Sequence, residues 1–150
     1  ELFFYDYSWV FLSNQKNETS FAKILSIKTL SFKTNDQIYT ALKSIFTANQ
    51  VSSVDLVLSS HNGDPNDDRI SQLLLSSLDL ESKYFAFKSV CGEYNTASAF
   101  ALYLASNILN KTSIPGLQYS KITDNKSIKS ILIHNHYRNT HHSFILLSAC

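Results

Sequence analysis

Three polar stretches of this chain gather residue types that carry out acid–base and nucleophilic chemistry. They are 59-SSHNGDPNDD-68, 88-KSVCGEYNTAS-98 and 134-HNHYRNTHH-142. Together they hold histidines for proton transfer, a glutamate that could act as a general acid or base, a lysine and a thiol. Each stretch overlaps or follows the end of an apolar run, so we predict that each lies where a strand ends.

Each of these candidates also has a structural alternative. His61 is either a hydrogen-bond donor or general base, or a histidine that orders its Asx-rich loop. Glu93 is either a general acid or base, or an acid in a first helical turn, where the helix dipole favours a carboxylate. Cys91 is either an activated thiol or a small residue packed before a helix. Packing is favoured, because no histidine is adjacent to Cys91 in sequence.

The last stretch is rich in histidine, and its members are His134, His136, His141 and His142. In a strand, His134 and His136 lie on the same face, as a pair of metal ligands would. A third ligand at a fixed spacing is missing, so we predict no metal site. We predict no cofactor either, because the chain has only three glycines and neither a GxGxxG nor a P-loop pattern. The sequence assigns no ligand to these histidines and no role to Cys150.

Composition narrows the class of protein. With 150 residues, of which 44% are hydrophobic, the chain is long enough for one domain with a core, predicted over 1–150. A net charge of +1 with scattered lysines gives no basic patch for nucleic acid. The longest apolar run, 97–109, is interrupted by polar residues and is too short to span a membrane. Two cysteines without metal spacing favour a reducing, cytoplasmic compartment.

The pattern of apolar residues predicts the elements that position these stretches. Strands are predicted over 1–12, 21–32, 54–60, 83–90, 130–137 and 142–149, with a short extended piece at 117–122. Helices are predicted after a cap at Thr34 or Asn35, after a cap at Asp67 or Asp68, and over Thr96–Leu109. The order β-β-α-β-α-β-α-β-β predicts an α/β fold with a mixed five-stranded sheet and helices packed on it. Ligands bind at the carboxyl ends of strands in such sheets, so we expect the three polar stretches to be neighbours.

Taken in order, the three stretches resemble the C-terminal half of a β-ketoacyl synthase, a thiolase-fold condensing enzyme of fatty-acid and polyketide synthesis. That family has a strand leading into an H-G-T-G-T-like loop and an acidic helix start. It then has K-S-x-x-G-H before a long helix, and an N-S-F-G-F-G-G-x-N-like strand–turn–strand. This chain has VDLVLSSHNGDPNDD, KSVCGEYNTASAFALYLASNIL and ILIHNHYRNTHHSFILL in the same order. The resemblance covers nearly the whole chain and implies a thiolase-like half.

The resemblance places the family's catalytic positions on His61, Lys88 and Glu93. The first catalytic histidine is kept at His61 and the family's lysine falls on Lys88, but Glu93 stands where the second catalytic histidine belongs. In the family, two neutral imidazoles stabilise negative charge during malonyl decarboxylation and condensation, and a carboxylate would repel that charge. The family's glycine-rich turn falls on 138–141 with one residue fewer, and its Arg and His side chains would crowd an acyl chain.

These departures imply a ketosynthase-like subunit of the chain-length-factor type that is not catalytic alone. The partners implied are an active ketosynthase subunit or an N-terminal half, and an acyl carrier protein with its acyl or malonyl chain. The alternative is a divergent condensing or decarboxylating acyltransferase, of the β-ketoacyl carrier-protein synthase type, that combines His61 with a cysteine from a missing N-terminal half. A structural or binding module that kept only the fold is the third hypothesis. The chain opens at Glu1 without a methionine, so that start is expected to be a processing point, a cloning boundary or a position inside a longer protein.

Overall fold

The computed structural model describes residues 10–78, 84–111 and 128–150. Its elements follow the order β1 (Ala22–Ser31), α1 (Asn35–Ala48), β2 (Leu56–Ser59), α2 (Pro65–Ser77), β3 (Tyr84–Ala86), α3 (Lys88–Cys91), α4 (Ala97–Leu109), β4 (Ser130–Tyr137) and β5 (His141–Ala149). The five strands form one sheet in the order β1-β5-β4-β2-β3. β2 is parallel to β3 and β4, whereas β5 is antiparallel to β4 and β1. The predicted α/β fold, with a mixed five-stranded sheet and helices packed on it, is confirmed.

Helices cover both faces of this sheet. Alternate residues of the central strands point to opposite faces, so each of these strands packs against helices on both sides. Val57 of β2 and Leu132 of β4 pack with α1 and α2, whereas Leu58 and Ile133 pack with α4. α4 approaches the sheet through three buried alanines, Ala97, Ala101 and Ala105. Their small side chains allow the helix to pack closely against the sheet. Among the residues described, no helix has the length and apolar character needed to cross a membrane.

One predicted strand needs correction, and two other predicted segments lie mostly or wholly outside the described residues. The strand predicted over 1–12 lies outside the described residues except for 10–12, which have no regular structure. The extended piece at 117–122 lies wholly outside them. The strand predicted over 83–90 is described from Tyr84 and ends at Ala86. It ends there because its partner β2 ends at Ser59, opposite Ala86, and the chain then forms the single helical turn α3.

The N-terminus of α2 also differs from the prediction, while that of α1 agrees with it. Thr34 caps α1 in a reciprocal capping box with Gln37, as one of the two predicted alternatives required. α2 is capped by Asp64, whose side chain accepts a hydrogen bond from the backbone N–H of Asn66 at 2.8 Å. Pro65 follows at the first helical position, where its missing N–H leaves no bond unmade. Neither Asp67 nor Asp68 caps the helix, because both lie in its first turn.

Asp55 fixes the start of β4 beside β2. One carboxylate oxygen, Oδ2, accepts hydrogen bonds from the backbone N–H groups of Lys129 and Ser130 at 3.0 and 2.9 Å. The same oxygen accepts a hydrogen bond from the Ser130 hydroxyl at 2.8 Å. This anchor precedes the parallel pairing of β2 with β4, which ends with Ser59 opposite His134. Asp55 therefore helps to set which side chains of the two strands meet at their carboxyl ends.

We predict that Asp55→Ala lowers the free energy of unfolding by about 1–2 kcal/mol, because three donors lose a charged acceptor near the surface. Urea denaturation at neutral pH measures the change. Glu18→Ala, at an exposed loop position, is the matched control and should change the free energy of unfolding by less than about 0.5 kcal/mol. Equal effects of the two substitutions would show that Asp55 does not anchor β4.

Candidate functional site

The three polar stretches meet at the carboxyl edge of the parallel strands. Asn62, after β2, donates a hydrogen bond from Nδ2 to Glu93 Oε2 at 3.3 Å. Lys88, after β3, donates from Nζ to the carbonyl of His136 in β4 at 2.8 Å. These contacts join all three stretches directly, so the sequence prediction that they are neighbours is correct.

Lys88 and Glu93 form the ion pair at the centre of this edge. The Lys88 side chain is 1% exposed, and its Nζ donates to both carboxylate oxygens of Glu93 at 2.8 Å. Together with the bond to the His136 carbonyl, these contacts use all three ammonium hydrogens. Because an unpaired buried ammonium is disfavoured by several kcal/mol, Glu93 is what allows Lys88 to stay charged inside the protein.

Local backbone geometry brings the two residues of this ion pair together. Pairing of β4 with β2 stops opposite His134, so the His136 carbonyl has no β2 partner, and Lys88 supplies its hydrogen bond. The short helix α3 ends at Cys91, and the φ of 82° at its C-cap, Gly92, lies in a region that residues with a Cβ rarely adopt. That turn directs the chain back, so that Glu93 faces Lys88.

The structure changes the interpretation of Glu93. α4 begins at Ala97, so Glu93 lies in the preceding loop, and the first-turn alternative is wrong. Its carboxylate is not an isolated negative charge either, because the Lys88 ammonium neutralises it at 2.8 Å. The repulsion of developing negative charge that the sequence predicted is thereby weakened. Glu93 therefore offers a carboxylate that is already engaged by Lys88.

His61 is buried directly after β2. Its Nδ1 lies 2.7 Å from the hydroxyl of Ser59, and its ring stacks on Tyr84 with the centroids 5.0 Å apart. Its Nε2 is buried and has no hydrogen-bond partner within the described part of the chain. Burial lowers the pKa of His61, and the nearby carboxylate of Asp68 partly opposes that effect. The imidazole is therefore neutral at pH 7, with one nitrogen bound to Ser59 and the other unengaged.

Asp68 shapes the loop that carries His61. Its buried carboxylate accepts hydrogen bonds from the backbone N–H groups of Asn62 at 2.9 Å and Gly63 at 3.1 Å. Asp68 can do this because Asp64, and not Asp68, caps α2. An open cleft of about 460 Å³ lies beside this loop, lined by His61, Arg69, Gln72, Leu73, Leu75, Ser76 and Tyr84. Glu93 does not line this cleft.

His134, His136 and His142, which we call the histidine cluster, are buried together on the sheet face that α1 and α2 cover. Their ring centroids lie 5.6–5.7 Å apart. The hairpin register places His136 of β4 directly opposite His142 of β5. His141 lies outside the cluster, where it contacts Ser31 and Phe32. Among the described residues, no group of three or more His, Cys, Asp or Glu side chains is arranged to hold a metal ion.

The hydrogen bonds of the cluster determine which nitrogens carry protons. His142 Nε2 lies 3.3 Å from the Asn139 carbonyl, which can only accept, so that nitrogen donates. In the neutral ring, His142 Nδ1 then accepts from His134 Nε2 at 3.3 Å. His134 Nδ1 in turn accepts from the Ser71 hydroxyl of α2 at 3.4 Å. His136 stands beside this chain, and neither of its ring nitrogens has a partner among the described residues.

Burial keeps all three rings of the cluster neutral at pH 7. It lowers the pKa of His134 well below its ordinary value and also lowers that of His142. It lowers the pKa of His136 from 6.5 to about 4, and the positive charge of Lys88 acts in the same direction. The cluster therefore supplies hydrogen bonds rather than positive charge at neutral pH.

The turn after β4 contains no glycine, but two of its residues adopt the positive φ angles that glycine adopts most easily. Arg138 and Asn139 adopt φ values of 48° and 52°, the left-handed region that suits glycine and tolerates asparagine. Asn139 uses its side chain to hold the start of α2, since its Nδ2 donates to the Asn66 carbonyl at 2.8 Å. These are two of the positions where the resemblance places the family's glycine-rich turn.

Cys91 packs in the core beside α4 and is partly buried. Burial raises the pKa of its thiol, so the less nucleophilic protonated form predominates at neutral pH. This supports the packing interpretation over the activated thiol. Cys150 is a free thiol at an exposed position.

Sequence reasoning singled out His61, Lys88 and Glu93 but missed three supporting residues. Asn62 binds Glu93, Asp68 holds the His61 loop, and Ser71 of α2 binds the histidine cluster. Ser71 could have been found from helix periodicity, because it follows Ile70 on the inward face of α2. The roles of Asn62 and Asp68 could not have been found from the sequence, because their contacts depend on where α2 begins.

We predict that Glu93→Gln lowers the free energy of unfolding by about 1–3 kcal/mol, because it leaves a buried ammonium without its counter-charge. The partial exposure of Glu93 keeps the effect near the lower end of that range. The double variant Lys88→Met, Glu93→Gln should recover part of the loss, since it removes the buried charge. Chemical denaturation at pH 7 measures both, with Glu18→Gln as the exposed control. A loss no larger than that of the control would mean that the ion pair is not structural.

We predict that Asp68→Asn lowers the pKa of His61 further, because it removes the negative charge that favours the protonated ring. An NMR titration of the His61 ring protons measures the shift. Asp67→Asn, in the same helical turn, is the matched control and should leave the titration nearly unchanged. An unchanged or raised pKa in Asp68→Asn would rule out this electrostatic coupling.

No family model matches this chain, and no curated protein matches it in sequence. A solved structure matches it in fold: a chain of the AntDE:AntF assembly, described as a type II PKS acyl-carrier protein in complex with its ketosynthase bound to the hexaketide. The TM-score is 0.60 at 12% sequence identity, and the match covers 87% of this chain and 34% of that chain. This chain thus spans about a third of the length of the chain it matches. At this identity, the match shows a shared fold.

Proposed function

We propose that this chain is a non-catalytic, ketosynthase-like subunit of the chain-length-factor type. In this role it supports acyl-chain elongation by an active ketosynthase partner, in the biosynthesis of polyketides such as aryl polyenes, or of fatty acids. The acyl or malonyl chain arrives on an acyl carrier protein. The remainder of the condensing-enzyme fold comes from an N-terminal half or from the partner subunit.

The observation that carries this proposal is the Lys88–Glu93 ion pair. In the resemblance, these two positions hold the lysine and the second catalytic histidine of a condensing enzyme. Here Lys88 Nζ donates hydrogen bonds to both carboxylate oxygens of Glu93 at 2.8 Å. An imidazole that donates to a developing oxyanion is thereby replaced by a closed ion pair with no free donor on the ammonium. The ion pair supports a structural role for two positions that, by the resemblance, are catalytic in condensing enzymes.

Two further observations support the proposal. The fold match lies within a polyketide synthase assembly that contains a ketosynthase and its acyl carrier protein. In addition, Cys91 has a raised pKa and packs in the core, so this residue is a poor nucleophile for acyl transfer. A nucleophilic cysteine is therefore assigned to the partner.

One observation favours a catalytic alternative. The Nε2 of His61 is buried and unpartnered within the described residues, and the pKa of His61 is lowered. A neutral imidazole with an unengaged nitrogen is the group that a condensing or decarboxylating acyltransferase needs to stabilise an enolate. In this alternative, His61 acts together with a cysteine from another half of the enzyme.

We predict that the chain co-purifies with an active ketosynthase encoded next to it, and that elongation of malonyl-loaded carrier protein requires both subunits. His61→Ala should then leave product length and rate unchanged, because the partner supplies the chemistry. Mass spectrometry of the carrier-bound products measures both quantities. His141→Ala, outside the site, is the matched control.

Two results would decide against this proposal. If the chain binds no ketosynthase, the partner role is wrong. If His61→Ala lowers the elongation rate by more than about tenfold while His141→Ala does not, the catalytic alternative is correct, because a loss of that size is typical of removing a group that stabilises charge in a transition state.

A further inference from the structure

We propose that Asn62–Gly63 is a deamidation site and that Asp68 suppresses its reaction in the folded protein. In an Asn–Gly pair the backbone nitrogen reaches the asparagine side chain easily, because glycine has no Cβ to obstruct the approach. The pair occurs once in this chain, and both residues are exposed. The proposal concerns the chemical stability of the loop after β2 and does not depend on the proposed function.

Deamidation at this pair needs no reactant except water. The backbone nitrogen of Gly63 attacks Cγ of Asn62, and its proton leaves with the Asn62 side-chain nitrogen as ammonia, which produces a five-membered succinimide. Water then opens the ring. Cleavage of the bond between the Gly63 nitrogen and Cγ gives aspartate at position 62, whereas cleavage of the bond between that nitrogen and the Asn62 backbone carbonyl carbon gives isoaspartate. Either product replaces a neutral amide with a carboxylate.

The structure of the loop requires both residues of this reactive pair. Asn62 Nδ2 donates the hydrogen bond to Glu93 that joins the loop to the Lys88–Glu93 ion pair. Gly63 adopts a φ of 93°, which a residue with a Cβ rarely adopts. A Cβ at this position would meet no atom within 4 Å, so the backbone conformation, and not a lack of space, favours glycine. The loop therefore carries a reactive pair for structural reasons.

Asp68 opposes the first step of the reaction. Its buried carboxylate accepts a hydrogen bond from the Gly63 N–H at 3.1 Å, and that nitrogen must lose its proton to attack. Loss of the proton breaks this hydrogen bond and places a developing negative charge beside the carboxylate, which disfavours it. The bond from Asn62 Nδ2 to Glu93 is also lost, because that nitrogen leaves as ammonia. Two native hydrogen bonds therefore cannot persist in the succinimide, so the folded loop resists its formation.

Suppression of this reaction preserves a contact between two of the polar stretches. Neither aspartate nor isoaspartate at position 62 has the side-chain N–H that Asn62 donates to Glu93 at 3.3 Å. Instead, each product directs a carboxylate toward the carboxylate of Glu93. Isoaspartate also lengthens the backbone between β2 and α2, where Asp68 binds two successive N–H groups. Asp68 therefore protects the link between the loop after β2 and the ion pair.

Incubation of the full chain at 37 °C and pH 8 tests the proposal, with peptide mass spectrometry that separates asparagine, aspartate and isoaspartate at position 62. A synthetic peptide of residues 57–67, which lacks Asp68, is the unfolded reference in the same buffer. We expect the folded chain to lose ammonia from Asn62 at least about tenfold more slowly than the peptide, because two hydrogen bonds must break. Asp68→Asn should accelerate the reaction of the folded chain at least about threefold, since it removes the neighbouring charge. Asp67→Asn, in the same helical turn, is the matched control and should not.

Three results would overturn the proposal. The first is a folded chain that reacts as fast as the peptide, and the second is an Asp68→Asn variant that reacts no faster than Asp67→Asn. The third is loss of ammonia from another asparagine before Asn62. If Asp68→Asn does not fold, hydrogen exchange of the wild-type Gly63 amide decides the role of Asp68. Exchange at least about tenfold slower than in the peptide supports the proposal, whereas equal rates show that Asp68 does not hold this N–H.

Discussion

A lysine ammonium that is buried must have a full set of acceptors, and the carboxyl edge of this sheet is organised around that requirement. Lys88 needs three acceptors and finds them in the two oxygens of Glu93 and the carbonyl of His136. Meeting this requirement draws the loop after β3 onto the end of β4, and Asn62 then ties the loop after β2 to the same carboxylate. The contacts made by the Lys88 ammonium and its counter-ion Glu93 therefore hold the three polar stretches together.

The same edge collects the buried polar atoms that lack a partner among the described residues. These atoms are Ser60 Oγ, His61 Nε2, Asn135 Oδ1, both ring nitrogens of His136, and Asn139 Oδ1. All of them follow or end β2 and β4. Unmade bonds of buried polar groups are unfavourable by about 1–3 kcal/mol each, so proteins rarely concentrate them without a use. Among the described residues, this edge therefore offers the largest set of buried polar atoms available to further polar groups.

Alternation and periodicity predicted the sheet, the three main helices and the meeting of the polar loops, because these features depend on short-range patterns of apolar residues. The ends of elements were less predictable. Asp64 rather than Asp67 or Asp68 caps α2, since Pro65 fits the first helical position and frees Asp68 to hold the His61 loop. The sequence did not predict the pairing of Glu93 with Lys88, because this pairing depends on the turn at Gly92. It also depends on the end of β2 opposite His134, which leaves the carbonyl of His136 without a partner in β2.

The central claim is that the Lys88 ammonium is charged, buried and fixed by three acceptors. Heteronuclear NMR of the lysine side-chain ammonium groups near pH 7 tests it most directly. The account predicts one ammonium signal, lost in Lys88→Met, whose hydrogens exchange slowly with water and whose Nζ couples across hydrogen bonds to Glu93 and the His136 carbonyl. If all lysine ammonium hydrogens exchange with water as fast as exposed ones do, Lys88 is not held in this way and the account is contradicted.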